Sequence, residues 1–391
     1  MVTKSTKPIL KKKSIQTPNK KNGYLPHQSI ESLYHLGNIH SKKPLDNDQI
    51  QPVSLDLRLD HKAYRIQSSF LPENESVESK LKELQLYDFD IRQGGILEKG
   101  AVYLIPLMEE ILFPKGLYGV TNPKSSTGRL DMFTRVIVDN GHRFDEIPNG
   151  YKGKLYLEII SRTFPVRVKA GMKLNQMRIY KGNPELSDYS LRAEYKNKPI
   201  LYQMDGKHIP EKKIIVDNGL FIGVDLSGTP ANKVVAYKAK HNSQVIDLAK
   251  IRYYEPKDFW EPVRPLKKNR LILEPESFYI MVSKEKICIR PHLLAEMAAY
   301  EPNSGELRTH YAGFFDPGFG WFNNKNNKSQ GTKAVMEVRP HDVPFMVEDG
   351  QTFCRLKFEK TIEPPTMIYG QDIKSNYATQ DLALSKYFKK R

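Results

Sequence analysis

Cysteine is nearly absent: Cys288 and Cys354 are the only two in 391 residues. They form no C-x-x-C pair, which excludes a disulfide framework and a paired-thiolate metal knuckle and suits a reduced, cytoplasmic setting. Long apolar runs are missing too. No stretch approaches the roughly 20 residues that span a bilayer, and the N-terminus lacks the apolar core of a secretion signal. No membrane partner is expected. Long amphipathic helices are scarce; only ESVESKLKELQLY (75–87) and HLLAEMAAY (292–300) read as short helices. Acidic residues are absent from residues 1–30, where seven lysines lie among Ser, Thr, Pro and Asn. That composition describes a solvated basic tail, and the lack of arginine there argues against a mitochondrial presequence. The formal net charge of +16 is therefore partly local. The remaining excess suits any polyanion.

What the chain does contain is a repeat. LYLEII (155–160) with FPVRVKAGMKLNQMRIY (164–180) recurs, without a gap, as AVMEVR (334–339) with VPFMVEDGQTFCRLKFE (343–359). Glu158 falls on Glu337, Pro165 on Pro344, Val168 on Val347 and Gly171 on Gly350, and apolar residues face apolar ones at Phe164/Val343 and Met177/Leu356. LEKGAVYLIPLME (97–109) and LEPESFYIMVSKE (273–285) agree at a slightly different offset. Such self-similarity describes a duplicated domain. Strand signals dominate both copies: VSLDLRL (53–59), AVYLIPL (101–107), KLYLEII (154–160), FYIMV (278–282), KAVMEV (333–338) and RLKFE (355–359). Twenty-six prolines and twenty-four glycines supply the turns between them. The expected fold is all-β, two tandem barrels or jelly rolls with few short helices. After the tail at 1–30, the first domain is assigned to 31–205, its sheets at roughly 45–185. The second is assigned to 215–391, its sheets at roughly 220–370, and the polar segment 186–215 reads as a connector or flap.

Four elements carry candidate chemistry. NPKSSTGRLD (122–131) packs Lys124, Ser125, Ser126 and Arg129 into a compact anion cradle of hydroxyls, backbone N–H groups and charge; an ordinary polar turn has a similar composition. FDEIPNGYKG (144–153) and FFDPGFG (314–320) place Asp145 and Asp316 just before the repeated strand, where each could accept from a sugar hydroxyl or a base amine, or simply form an Asx turn. Glu158 and Glu337 sit in register inside those strands. Alternation sets Leu155, Leu157 and Ile159 on one face and Glu158 on the other with Tyr156 and Ile160. A carboxylate in that position is a candidate proton shuttle. Finally, SNYATQDL (375–382) offers Tyr377 and Gln380 to close over a ligand.

These strings resemble the dCTP deaminase branch of the dUTPase-like nucleotidohydrolases, whose pattern runs R-S-S-x-x-R, a T-A-G-like turn, I-D-P-G-[FW] and a strand ending L-E. KSSTGR (124–129) is similar to the phosphate loop, with Lys for the first Arg; HYAGFFDPGFG (310–320) followed by VMEV (335–338) is similar to the rest. GLFIGVDLSG (219–228) opens the second copy as in the long two-domain bacterial form, and the likeness covers nearly all of residues 45–388. The first copy departs from the pattern in reading DEIPNG for the DPG loop, and the second in having AEMAAYEPNSGEL (295–307) where S-S-x-x-R belongs. The resemblance implies complementary halves in a homo-oligomeric enzyme. Lys124, Ser125, Ser126 and Arg129 would hold the phosphates of dCTP, Asp316 and Glu337 the base, and backbone groups near Ala312 the water. A site centred on Asp145 and Glu158 stays open. It implies hydrolytic deamination to dUTP and ammonia, with dUTP diphosphatase or a bifunctional deaminase and dUTPase as the alternative. The H-x-E and P-C-x-x-C strings of zinc deaminases are missing from the chain, so no zinc is expected, and Mg²⁺ is expected through the triphosphate. Nucleic acid is not expected as a partner, although the charge leaves a non-catalytic nucleic-acid-binding protein as a third reading.

Overall fold

The structure is a computed structural model, and it describes residues 21–228, 233–298, 307–309, 313–321, 331–372, 377 and 380–390. Strands of the two copies pair in matching orders. In the first copy one sheet runs Gln85–Asp90, Lys62–Ile66, Val102–Leu112, Lys152–Ser161 and Met132–Ile137; in the second it runs Trp260–Val263, Ala236–Ala239, Tyr279–Ile287, Thr332–Pro340 and Leu307–Thr309. The opposing sheets match as well. Leu55–Arg58, Lys173–Lys181, Leu117–Pro123 and Glu146–Ile147 correspond to Leu220–Gly223, Thr352–Lys360, Leu293–Ala298 and Phe314–Phe315. Sheet faces its opposing sheet across an apolar layer in each copy. The duplication read from the sequence is thus repeated strand by strand.

The copies are knitted together. Val166–Val168 of the first pairs in parallel with Ile246–Asp247 of the second. Trp260, Phe278, Ile280, Val335, Tyr387 and Phe388 join the first copy's core, alongside Leu157 and Phe164. Phe164 meets Trp260 edge-on, with ring centroids 5.4 Å apart. This seam explains why every residue of Thr332–Pro340 is buried. Met336 and Val338 face the second copy's own core, whereas Val335 faces the first copy.

One expectation needs correction. Residues 292–300 were expected as a helix, but Leu293–Ala298 is a strand paired with both Thr352–Lys360 and Phe314–Phe315. Leu293, Ala295 and Met297 enter the second core while Leu294 packs on Tyr24 and Val53 of the first copy. Burial of both faces overrides the helical preference of Leu, Ala, Glu and Met. The segment 186–215, read as a connector or flap, is also packed against the second copy. Its helix Asp188–Asn197, with Ser187 accepting from the Ser190 N–H at 3.3 Å, sends Leu191 and Tyr195 into the second core. Their i, i+4 spacing makes one apolar stripe. The other expected helix forms as Val77–Leu84, capped by Ser76.

Candidate functional site

The strand Leu117–Pro123 ends at the anion loop. Lys124 stays extended, and Ser125–Gly128 then make a single helical turn that leaves Ser126 and Arg129 buried. The Lys124 ammonium pairs with the buried carboxylate of Asp56. Burial pushes the Asp56 carboxyl up, and Lys124 opposes that push. Beyond the loop Asp131 takes a left-handed conformation, φ 58°. It is fixed there by Thr163 Oγ1, which donates at 2.6 Å, and by Arg339 from the second copy. The loop is therefore anchored across the seam.

Arg339 lies on the same strand face as Lys333, Val335 and Glu337, because side chains alternate. Glu337 therefore points toward the first copy, almost wholly buried, two positions from a residue lining the cleft described below. Ahead of that strand comes the aspartate loop. First-copy residues set its position: Asn122 Oδ1 accepts from the Gly313 N–H at 3.0 Å. Arg178, fully buried, donates to Phe315 O and to Asp316 Oδ1, both at 3.0 Å, and stacks 3.9 Å over Phe314. Gly318 needs its positive φ of 96°, and a Cβ there would run into Ile368.

The C-terminal segment completes the arrangement. Tyr377 lies 3.9 Å from the Arg129 guanidinium, which donates to Gln380 Oε1 at 2.6 Å and to Ala383 O at 2.9 Å. Ser385 Oγ donates to Ser126 O at 2.7 Å. Burial, chiefly, raises the Tyr377 phenol's pKa; Arg129 opposes, and the nearby charge of Glu337 adds to the rise.

Together these pieces line a cleft of about 270 Å³. The structure brings Lys124, Ser125, Ser126, Arg129, Asp316, Tyr377 and Gln380 to its walls; Glu337 is not among the lining residues, but it is near enough for its charge to act on Tyr377. Ala312 lies outside the described residues. Asp56, Arg178, Tyr369 and Lys386 were not foreseen; only Tyr369, an aromatic ahead of the closing segment, carried a local signal. A larger cavity, about 750 Å³, sits elsewhere on the first copy. Two of its five lysines, Lys62 and Lys154, pair with Asp88 and Glu78, and it holds none of the foreseen residues, so the smaller cleft has the convergent chemistry.

Asp145 and Glu158 do not line the cleft. Glu158 is clamped by Arg135, whose Nε donates at 2.9 Å. Its strand face is covered by the helix Val77–Leu84, with Val77 and Leu81 packed around Tyr156. Asp145 Oδ1 accepts from Thr121 Oγ1 at 2.6 Å and from the Val136 N–H at 2.9 Å. Burial raises its pKa to about 7. A carboxyl raised in the folded state loses stability as pH climbs from about 4 through about 7, where only the unfolded chain ionises freely. Asp145→Asn keeps the acceptor oxygen and removes that loss. It is expected to melt higher than the parent at pH 8, with the gap closing toward pH 4; a gap independent of pH in thermal melts would refute the assignment.

Among the described residues, one trio has ligand atoms within 4.8 Å of one another: Glu276, His341 and Asp342. Glu276 is already paired with Arg162 at 3.1 Å. No described helix is long and apolar enough to cross a membrane.

A tandem β protein whose two copies share one cleft, with a candidate anion cradle from the first and Asp316 from the second, defines a two-domain class. The chain belongs to the 2'-deoxycytidine 5'-triphosphate deaminase family, whose N-terminal domain matches residues 21–183 and whose C-terminal domain matches 187–388. The crystal structure of 2'-deoxycytidine 5'-triphosphate deaminase from Agrobacterium tumefaciens is 41% identical, with a TM-score of 0.79, covering 88% of this chain and 99% of that one. A dCTP deaminase of Ignicoccus hospitalis is 28% identical over 154 residues, 39% of this chain and 81% of its own length. A dUMP-forming dCTP deaminase of Acidothermus cellulolyticus is 29% identical over 140 residues, 35% of this chain and 70% of its own.

Proposed function

We propose that the chain deaminates dCTP hydrolytically to dUTP and ammonia, in a cleft shared by its two copies. One observation carries the reading: the first copy's Ser125, Ser126 and Arg129 and the second copy's Asp316 line one cavity with Tyr377, whose phenol feels the charge of the buried Glu337. Lys124, the two serines and Arg129 hold the triphosphate through charge-assisted hydrogen bonds. Asp316, fixed by Arg178, accepts from the sugar or base, and Tyr377 and Gln380 close the cleft. Glu337 takes a proton from the water attacking C4, passes it to the pyrimidine N3, and carries the second proton to the departing amine. Water adds and ammonia leaves, so no redox partner is needed.

Mg²⁺ would travel with the triphosphate, neutralising its charge through phosphate oxygens. That role fits the cleft, because Asp56 and Asp316 are already committed to Lys124 and Arg178. A cytoplasmic homo-oligomer completes the proposal. A second reading, cleavage of dUTP onward to dUMP, is favoured by the dUMP-forming relatives. Incubation with dCTP, with and without Mg²⁺, is expected to release one ammonia per nucleotide, and chromatography of the product separates dUTP from dUMP. No ammonia under any metal condition sinks the proposal.

A further inference from the structure

Lys154 and Lys333 occupy the same place in the repeat, each four positions ahead of its strand glutamate, Glu158 or Glu337. Alternation sets each lysine on the face of that glutamate. In the first copy the lysine ties down the element lying over the face: Lys154 Nζ pairs at 2.8 Å with Glu78 of the helix Val77–Leu84. In the second copy the C-terminal segment meets the lysine instead. Lys333 Nζ, almost wholly buried, pairs at 3.1 Å with Asp381 Oδ1, and Gln380 Nε2 donates to Lys333 O at 3.1 Å.

Lys333 is itself firmly placed. The buried Asp225 pairs with its ammonium at 2.7 Å and accepts from the Ser227 hydroxyl at 2.5 Å. Burial pushes the Asp225 carboxyl up, but Lys333 and Ser227 outweigh it and hold it below its ordinary value. An ammonium carries three N–H donors, so Asp225 can fix it and still leave one for Asp381. Gln380 is thereby held from both copies: its Oε1 accepts from Arg129 of the first at 2.6 Å, and its Nε2 donates to Lys333 O of the second. Tyr387 and Phe388 anchor the far end of the segment in the first copy's core, and Asp381 adds a charged anchor ahead of them.

We infer that Lys333 is a positioning residue: its ion pair with Asp381 seats Gln380 against Arg129 at the cleft wall and so sets how tightly the nucleotide is held. This deepens the proposed deaminase reading and rests on it for the identity of the nucleotide. One lysine position of the repeat thus serves a helical roof in the first copy and the segment at the cleft in the second.

Replacing Lys333 would strand the buried Asp225 without a counter-charge, so the test changes its half-exposed partner. Asp381→Asn removes the charge and Asp381→Glu keeps it. Hydrogen exchange follows the amides of residues 380–384, and kinetics gives kcat and KM for dCTP. For one partly exposed ion pair, Asp381→Asn is expected to exchange about three- to fivefold faster at 380–384 and to raise KM by a similar factor. Its kcat, its thermal melt and exchange in Thr332–Pro340 are expected to match the parent, and Asp381→Glu to stay near the parent throughout. Unaltered exchange in Asp381→Asn overturns the inference, as does faster exchange with an unchanged KM or an equal defect in Asp381→Glu. A lowered melt marks a merely structural role and overturns it too. If Asp381→Asn speeds local exchange while the parent releases no ammonia from dCTP, the deaminase reading falls and the seating of Gln380 by this ion pair stands.

Discussion

Glu337→Gln is expected to bind dCTP as the parent does while its turnover falls about 10²- to 10⁴-fold, the usual weight of a general acid–base group. Glutamine keeps the size of the side chain and its hydrogen-bonding oxygen, so the buried strand has no reason to shift. What it removes is the proton carrier. The control is Glu158→Gln, at the matching position of the first copy. There the carboxylate serves Arg135 under a helix, away from the cleft, so turnover is expected to survive. Steady-state ammonia release from the two variants decides between the copies. A dead Glu158→Gln beside an active Glu337→Gln would reverse the assignment.

The second large effect belongs to Arg129. Its guanidinium stacks on Tyr377 and bonds to Gln380 and Ala383, so it binds the closing segment as well as facing the anion site. Arg129→Ala is expected to raise the dCTP KM by about 30- to 150-fold, corresponding to about 2–3 kcal/mol for a charge-assisted contact. Because the loop and Asp316 line one cleft within one chain, mixing Arg129→Ala with Glu337→Gln is expected, on the proposed assignment, to restore nothing even after subunit exchange. Recovered activity in the mixture would show that the loop of one chain serves the carboxylate of another.

Much of this was legible in the residues. The repeat announced two copies, and the strand alternation around Glu158 put Leu155, Leu157 and Ile159 in the core and Tyr156 on the other face, as found. The loop KSSTGR, Asp316, Tyr377 and Gln380 were each marked by local composition and do meet. What stayed hidden depends on partners far along the chain. Arg178 looks like one more polar position in an alternating strand, and its carboxylate partner lies 138 residues away. Lys386 sits in an ordinary basic ending, and only the burial of Ser385 and Tyr387 turns it inward. Glu158 and Glu337 are alike in sequence; what separates them is the helix lying over one and the neighbouring copy lying over the other. Leu293–Ala298 misled because a strand buried on both faces has no alternation to display.

The seam also bears on how many nucleotides one chain can hold. Two free copies meeting symmetrically would each lend a loop and each receive one, giving two equivalent centres. Here the partnership is fixed by covalent continuity, since Tyr387 and Phe388 are seated in the core laid down by the first half. Fixed partners are released from symmetry. The donor half can roof its own carboxylate with a helix, and the recipient half can dispense with the S-S-x-x-R string, because neither function is asked of it twice. On the proposed assignment the outcome is a division of labour inside one polypeptide, with one nucleotide expected per chain.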